Sequence, residues 1–415
     1  MENNTEKNKN SRTPAQKFLD LIRKDIIEIQ NDKEKLIEMA EEMSDLLLKG
    51  GNIFAPPVNK AWTSEFSGRA GGLMCLKGKA NHSKDIAFFA LPDPRNWEPQ
   101  KDKVLKTLLK GKAKLFVIGR KEDLGDIGIN RQFAGFTGGV RADIGMYRYK
   151  NFNPFASTRE FKIFVRGWIT TGEMICACIR KGKMPIIYMS VWFEGAIPRN
   201  SSFTYTDFSN YYEPSLTKPI VPLEVFHKNR YIPPLPSGYA TTEFLQIVKM
   251  LIDKIDNQAD QISRIGQCLA EAKQKGKKIH VVAAGHCYPG ILELPDDNSY
   301  PLTWGVSRAD LKYAVPSDLK DGDVALHFGY GPTSISDAKK ILKRGVKLIH
   351  TSPYGRRIGI PENENFLWFD LPWRPGDAVI DIPGYSVRML PSSSTAHSIA
   401  YNAILCEMAE VMGWQ

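Results

Sequence analysis

Apolar residues recur at intervals of three and four along two long segments of the chain, residues 15–49 and 241–275. Because one face of an α-helix repeats every 3.6 residues, this spacing predicts a long helix or a helical pair in each segment. Gly50 and Gly51 follow the first segment and Gly276 follows the second, and glycine commonly marks the end of a helix. The two segments therefore share one predicted structure and one kind of ending.

A short apolar run after each helical segment predicts a β-strand. The runs begin at Ile53 and Ile279, which are 226 positions apart, and the second run, KIHVVAAG, is apolar almost throughout. Such a run is typical of a parallel strand that is buried on both faces. Two later runs, KAKLFVIGR at 112–120 and DGDVALHFG at 321–329, resemble each other as strands that lead into glycine-containing loops. Helices that alternate with buried strands indicate an α/β fold with open parallel sheets.

The same order of elements occurs twice, which indicates an internal duplication. Residues 158–183 and 383–408 are both interpreted as a strand, a turn containing Thr or Ser, and a helix, and Thr170 and Ala396 hold equivalent places in them, again 226 positions apart. The expected organisation has four parts, which are a disordered tail at 1–14, a first domain at 15–193, a linker rich in Pro and Tyr at 194–239, and a second domain at 240–415.

Composition places the chain among globular proteins. It has 415 residues, of which 42% are hydrophobic and 25% charged, and no apolar run reaches the length of a membrane helix. The first residues are polar and lack the apolar core of a signal peptide, so we expect a cytoplasmic protein that does not contact membranes. The six cysteines lack zinc spacing and do not suggest a disulfide framework, so the sequence predicts no metal and no cofactor.

The net charge of +10 is spread along the chain in lysine-rich pieces such as KTLLKGKAKLF and KQKGKKIH. No nucleic-acid-binding motif and no arginine-rich face accompany it, so no nucleic-acid partner is expected. A positive surface attracts anionic metabolites, and the charge is therefore compatible with a phosphorylated substrate.

Two short motifs resemble those of the sugar isomerase (SIS) domain family, most closely its phosphosugar-isomerase-like branch. SEFSGRAGGL at 64–73 reproduces the pattern E-x-x-x-R-A-G-G-L with Glu65 and Arg69, and AAGHCYPG at 283–290 reproduces a Gly-His loop with Gly285 and His286. Cys287 stands where that branch has serine. The segment GDAVIDIPGYSVRMLPSSSTAHSIAYNAILCEMAE at 376–410 also resembles the branch. The likeness touches both halves of the chain and implies a tandem SIS protein.

The resemblance implies two doubly wound parallel-sheet domains, flavodoxin-like or Rossmann-like, with phosphosugar sites at the carboxyl ends of the strands. The phosphate loop of the family falls on HFGYGPTS at 327–334, where four residues keep its small or hydroxyl character and Tyr330 and Pro332 depart from it. Those four residues are Gly329, Gly331, Thr333 and Ser334. The segment matched to it in the first half, IGRKEDLGD at 118–126, has no hydroxyl, so the second half is the better candidate for a ligand site.

Four consecutive hydroxyl residues stand at the front of the last predicted helix, Ser392, Ser393, Ser394 and Thr395. One hydroxyl is enough to cap a helix, so a plain serine-rich loop with one cap is the alternative to an anion site. A helix N-terminus favours a phosphate or carboxylate. With the family likeness, the preferred interpretation is that these residues add donors around a sugar phosphate.

Candidate acid–base residues are His286, Glu293 and His397, because moving a proton between neighbouring carbons requires such groups. Each has a plainer alternative: a hydrogen bond to the loop backbone for His286, a helix surface for Glu293 and an interface for His397. His327 ends a strand beside the glycine loop and ranks below His286.

Glu65 and Arg69 are spaced to pair along a helix, and binding of phosphate or of a partner subunit by Arg69 is the alternative. Glu173 also has two interpretations: it faces a cleft in the first half, or it is a carboxylate near a helix N-terminus, where the helix dipole favours it.

The expected function is binding of a phosphorylated sugar or other small anionic metabolite by a homo-oligomer. Isomerisation of an aldose phosphate to a ketose phosphate is compatible with it. A non-catalytic phosphosugar sensor and a structural or assembly protein on the same fold remain alternatives, because a fold does not fix a chemistry.

Overall fold

The structure is a computed structural model, and the residues it describes are 12–76, 82–92, 97–124, 133–137, 158–204, 224–284, 303–307, 315–329, 334–354, 359–360, 363–374 and 376–413. Residues 12–204 are called the first half below, and residues 224–413 the second half. None of the described helices is both long enough and apolar enough to cross a membrane.

Each half begins with the predicted helical pair. In the first half these are α1 (Pro14–Asn31) and α2 (Lys33–Leu48), and α1 starts with a capping box at Thr13. In the second half α7 (Tyr239–Asp256) and α8 (Ala259–Gln274) form the corresponding pair. Gly50 and Gly276 adopt positive φ angles of 84° and 66° directly after the pairs, a conformation that favours glycine.

The first sheet contains β1 (Ile53–Phe54), β2 (Ile86–Ala90), β3 (Lys114–Ile118) and β4 (Phe133–Thr137), which are parallel and lie in that order. A single parallel bridge joins Leu76 to Ile53 of β1. Two helices connect these strands, α3 (Lys60–Phe66) after β1 and α4 (Lys103–Lys110) between β2 and β3. Short 3-10 turns occupy Pro99–Lys101 and Lys121–Leu124.

The second sheet has five parallel strands in the order β6-β5-β7-β8-β9. They are β5 (Ile279–Ala284), β6 (Thr303–Ser307), β7 (Val324–Phe328), β8 (Lys347–Ser352) and β9 (Phe366–Asp370). Helix α9 (Ile335–Lys343) connects β7 to β8. The chain places β6 on one side of β5 and β7 on the other, so the strand order reverses between β5 and β7, as it does in doubly wound sheets.

A long buried helix follows each sheet, α5 (Arg159–Arg180) in the first half and α10 (Ser393–Met412) in the second. Helix α6 (Ala196–Ser201) follows α5, and a short antiparallel ribbon of β10 (Ala378–Ile380) and β11 (Met389–Pro391) precedes α10. The strand and helix predicted in 383–408 are confirmed. The strand and turn predicted in 158–183 are wrong, because residues 159–180 form one continuous helix, α5. Its β-branched and aromatic residues favour a strand locally, and burial of nearly the whole helix overrides that preference.

Strand order also corrects one of the matches between the halves. Residues 321–329 contain β7, which pairs with β5 on the side away from β6. In the first half, β2 pairs in the same way with β1, on the side away from the Leu76 bridge. Strand β7 therefore corresponds to β2, and 112–120, which form β3, correspond to β8. The segment after β2, rather than 118–126, is then the counterpart of the glycine loop in the second half.

A repeated carboxylate supports this correspondence. Asp85 and Asp323 directly precede β2 and β7, and both are buried. In each, one carboxylate oxygen accepts a 2.9 Å hydrogen bond from the backbone N–H just before the first strand of the sheet. The other oxygen accepts from the N–H three residues upstream, at 2.8 Å for Asp85 and 2.9 Å for Asp323. The same pair of hydrogen bonds thus joins β1 to β2 in the first sheet and β5 to β7 in the second.

The long helices also exchange caps between the halves. Glu173 of α5 accepts hydrogen bonds from the N–H groups of Gly238 and Thr241 at 2.9 and 2.8 Å, at the start of α7. Glu407 of α10 accepts one from the N–H of Ala15 at 2.9 Å, at the start of α1. A carboxylate at a helix N-terminus satisfies unpaired N–H groups and favours the helix dipole. Each half therefore begins its first helix on a carboxylate that the other half provides.

Candidate functional site

Ligands of open α/β sheets bind outside the carboxyl ends of the strands, where the strand order reverses. In the second sheet this point lies between the ends of β5 and β7, at Ala284 and Phe328, and is called the switch edge below. Gly329 follows β7, and its N–H donates to the carbonyl oxygen of Thr351 at 2.8 Å. Ser334 caps α9 by accepting a 3.4 Å hydrogen bond from the N–H of Asp337. Of the predicted phosphate-loop residues, Gly329 therefore lies at the switch edge, and Ser334 begins the helix that follows β7 in the chain.

Two buried histidines on neighbouring strands lie beside Gly329. His327 of β7 and His350 of β8 are partners in the parallel register, and their rings stack with centroids 4.7 Å apart. Their Nδ1 atoms are 2.9 Å apart and share a hydrogen bond. Neither Nε2 atom has a hydrogen-bond partner in the part of the chain that the structure describes. A Cβ atom on Gly329 would lie 3.1 Å from Cε1 of each ring, so the glycine lets the backbone approach this pair closely.

Burial keeps this histidine pair, His327 and His350, uncharged. Desolvation lowers the pKa of His327 to about 3. Desolvation also lowers the pKa of His350 well below its usual value, and repulsion from His327 in its protonated form lowers it further. In a neutral pair, one ring donates its Nδ1–H to the Nδ1 of the other. One Nε2 is then a bare acceptor, and the other Nε2 carries a proton. A proton accepted at the first Nε2 can be matched by one released at the second, so the pair is able to relay a proton without becoming charged.

The first sheet has no such pair at the corresponding place. His327 and His350 are the fourth residues of β7 and β8, and the fourth residues of β2 and β3 are Phe89 and Val117. Phe89 and Val117 are register partners as well, and both are fully buried. An apolar pair leaves no polar atom without a partner at this place. Each buried nitrogen without a partner, in contrast, lowers the free energy of unfolding by about 1–3 kcal/mol. The second half alone therefore carries an unsatisfied polar pair near the ends of its strands.

The hydroxyl run at the front of α10 is buried within the protein. The N–H groups of Ser392 and Ser393 donate to Oδ1 of Asp377 at 3.0 and 2.8 Å, so a carboxylate of the chain itself caps the helix. The hydroxyl of Ser394 donates to Glu65 at 2.5 Å, while Thr395 Oγ1 has no hydrogen-bond partner among the described residues. The structure thus places Asp377 where the sequence predicts the phosphate of a ligand, and an external anion would have to displace it.

Glu65 and Arg69 belong to the same buried cluster. They form an ion pair of 3.4 Å, as their spacing predicts, and Arg69 also contacts Asp377 at 2.8 Å and the hydroxyl of Ser393 at 3.0 Å. Trp168 donates to Glu65 at 2.9 Å. Burial raises the pKa of Glu65, and the charge of Arg69 opposes that shift. These contacts make the RAGGL motif a bridge between α3 and the front of α10.

His397 lies one turn inside α10, between two aromatic rings. Its ring is fully buried and meets Phe328 and Trp373 edge to face, at centroid distances of 5.6 and 6.0 Å. Because Phe328 ends β7, His397 approaches the switch edge from the face of the sheet opposite to His327. The predicted residues Gly285, His286, Glu293, Gly331 and Thr333 lie outside the described residues.

His350 and its contact with His327 were not predicted from the sequence. Each histidine is the fourth residue of a buried strand, and the two strands are consecutive parallel neighbours, so their register was the available signal. Within the described residues, no three His, Cys, Asp or Glu side chains come together as ligands for a metal ion.

No protein-family model matches the chain, and no curated protein matches it. Among solved structures, it is similar to the crystal structure of a protein from Clostridium difficile 630 whose assignment as a phosphosugar isomerase is provisional. The two chains share 9% sequence identity at a TM-score of 0.36, over 81% of this chain and 71% of that one. This likeness is distant, so any statement about function depends on the residues of this chain.

Proposed function

We propose that this protein binds a phosphorylated sugar at the switch edge of its second sheet. The order β6-β5-β7-β8-β9 directs a ligand to the ends of β5 and β7. The Gly-His sequence follows β5 along the chain, and Gly329 and Ser334 follow β7. Ser334 sits at the N-terminus of α9, where backbone N–H groups and the helix dipole favour an anion.

One observation carries this proposal, which is the contrast between the histidine pair and its counterpart in the first sheet. His327 and His350 leave two nitrogens without partners near the end of the second sheet, and Phe89 and Val117 avoid that cost in the first. A polar pair that destabilises the protein is expected where function requires it. The second half is therefore the proposed ligand-binding half.

Isomerisation is the reaction that this pair suits best. An aldose phosphate becomes a ketose phosphate when a proton leaves one carbon and a proton is delivered to its neighbour, while the hydroxyl and carbonyl oxygens exchange roles. The relay accepts one proton and releases one, so both carbons are served and the pair regains a neutral state. The net reaction consumes no proton and requires no redox partner.

The test combines binding with proton exchange. We expect a panel of sugar phosphates to contain one that raises the melting temperature, with no rise for the same sugar without phosphate. In deuterium oxide that sugar phosphate should gain deuterium at the carbon next to its carbonyl. The double variant His327→Phe/His350→Val, which copies the apolar pair of the first sheet, should remove the exchange.

The matched control is Ser394→Ala, which alters the hydroxyl run at the front of α10 and leaves the histidine pair unchanged. Loss of binding in Ser394→Ala with full binding in the double variant would move the ligand to the front of α10 and refute the switch-edge site. Binding without any deuterium exchange would favour a non-catalytic sensor. The burial of both Nε2 atoms is the observation that favours this second candidate.

We also infer that the two halves arose by duplication of one SIS-like unit. The shared strand order, the repeated aspartates before β2 and β7, and the exchanged caps of Glu173 and Glu407 support this origin. The departures at Cys287, Tyr330 and Pro332 from the family pattern then belong to the divergence of the second half.

A further inference from the structure

A second group of polar side chains lies apart from the switch edge, around the phenol ring of Tyr385. Arg199 Nη2 donates to the hydroxyl of Tyr385 at 2.6 Å, and His227 Nε2 is 2.8 Å from the same oxygen. The guanidinium carbons of Arg199 and Arg230 lie 5.9 and 5.6 Å from the centre of that ring. Arg199 belongs to α6, His227 and Arg230 to the segment before α7, and Tyr385 to the turn before β11. Three separate segments therefore bring these groups together.

Within the described part of the chain, the positive charge of this group is not balanced by a carboxylate. Neither arginine forms an ion pair with a carboxylate among the described residues, although Arg23, Arg120 and Arg388 do. Burial lowers the pKa of His227, and the charges of Arg199 and Arg230 lower it further, with no carboxylate opposing them. Like charges around a half-buried ring repel one another, so an anion that binds between them gains more free energy than it would at a balanced surface.

The hydrogen bonds hold Arg199 in place and leave donors on Arg230. Arg199 donates to the carbonyl oxygen of Ile187 and to Asn200 as well as to Tyr385, at 3.0, 3.0 and 2.6 Å. Arg230 is exposed and, among the described residues, makes one hydrogen bond, to the carbonyl oxygen of Gly384 at 3.1 Å. Because a guanidinium carries five N–H donors in a rigid fork, most of those on Arg230 are open to a ligand.

We propose that Arg199, His227, Arg230 and Tyr385 form a second binding site, for the phosphate group of a small ligand. A phosphate carries nearly two negative charges at neutral pH, which match the two fixed positive charges. The guanidinium fork of Arg230 fits two of its oxygens, and His227 gains a proton beside the bound anion. The Nε2–H of His227 then donates to the Tyr385 oxygen, so the Tyr385 hydroxyl donates its own proton to the phosphate. The site lies beside the ring of Phe203, which meets His227 edge to face at 5.1 Å.

The test follows the ring of His227 by nuclear magnetic resonance in the full chain. Its signal is assigned by its loss in His227→Gln, and inorganic phosphate is added at constant ionic strength with chloride as the balancing anion. We expect a saturable shift of this signal in the direction of protonation. Arg230→Gln should weaken phosphate binding by about fivefold or more, because a charge-assisted hydrogen bond is lost. Lys228→Gln, which removes an exposed charge already paired with Glu224 at 3.0 Å, should change it by less than about twofold.

A second arm replaces inorganic phosphate by glucose 6-phosphate. Tighter binding of the ester assigns the site to an organic phosphate, and equal binding assigns it to free phosphate. A shift that rises without saturation, or equal weakening in Arg230→Gln and Lys228→Gln, would overturn the proposal. The double variant His327→Phe/His350→Val should leave this titration unchanged, so failure at the switch edge and failure at this second site are distinguishable.

Discussion

The buried histidine pair predicts a loss of stability in mild acid that one double variant should abolish. The perturbation is a change from pH 7 to pH 5, applied to the native chain and to His327→Phe/His350→Val. Both side chains of the variant are apolar, so it neither takes up protons at these positions nor leaves buried nitrogens without partners.

The magnitude follows from proton linkage. In the unfolded chain each histidine has a pKa of about 6.5, whereas burial lowers the pKa of His327 to about 3 and that of His350 well below its usual value. Below pH 6.5 the unfolded chain therefore binds protons that the folded protein does not, and the free energy of unfolding falls as the pH falls. At pH 5 the loss relative to pH 7 is about 2 kcal/mol for His327, and His350 adds a further loss of the same sign.

Equilibrium unfolding in urea at both pH values measures this difference. The double variant should be as stable as the native chain or more stable at pH 7, and its loss on going to pH 5 should be smaller by about 2 kcal/mol or more. His82→Gln, which removes an exposed histidine, serves as the control and should follow the native chain. Equal losses in the native chain and in the double variant would show that the pair is not held neutral, and would refute the reasoning.

Four further changes test the contacts between the halves by urea unfolding at pH 7. Glu173→Gln should lower the free energy of unfolding by about 1–2 kcal/mol and Glu407→Gln by about 1 kcal/mol, because each weakens the cap of a helix in the other half; no change in either would contradict the exchange of caps. Arg69→Met should cost about 3–5 kcal/mol, because Asp377 then stays buried without its cation, whereas a loss below about 1 kcal/mol would mean that water reaches the cluster. Gly71→Ala should cost about 2 kcal/mol or more, because φ is 76° and the new Cβ would lie 2.7 Å from the backbone nitrogen of Leu390; a stable variant would exclude this close approach.

The helical pairs and the strands β3, β5 and β7 could be predicted, because the helices are buried on one side and these strands are short, bounded apolar runs. The interior of 158–183 was predicted wrongly, because its β-branched and aromatic residues favour a strand and tertiary packing overrides that preference in α5. Register between strands is a relation across the chain, and neither β7 nor β8 alone shows that His327 meets His350.

The hydroxyl run at the front of α10 shows a different limit. Its position at a helix N-terminus and its need for an acceptor were both predictable from Ser392 to Thr395. The acceptor itself is Asp377, which reaches the helix from the start of the β10–β11 ribbon in a backbone conformation with φ of 70°. A local pattern indicates that a helix N-terminus needs an acceptor, but the tertiary fold decides whether the protein or a ligand provides it.

The exchanged caps of Glu173 and Glu407 have the form of an isologous interface, in which the same residue of each unit contacts the other unit around a two-fold axis. When such a dimer becomes one chain, a substitution no longer occurs twice. One unit can then keep an apolar pair such as Phe89 and Val117 while the other carries the histidines. The histidines then destabilise the molecule once rather than twice. Under the proposed duplication, fusion of this kind would let stability and chemistry be divided between the two halves.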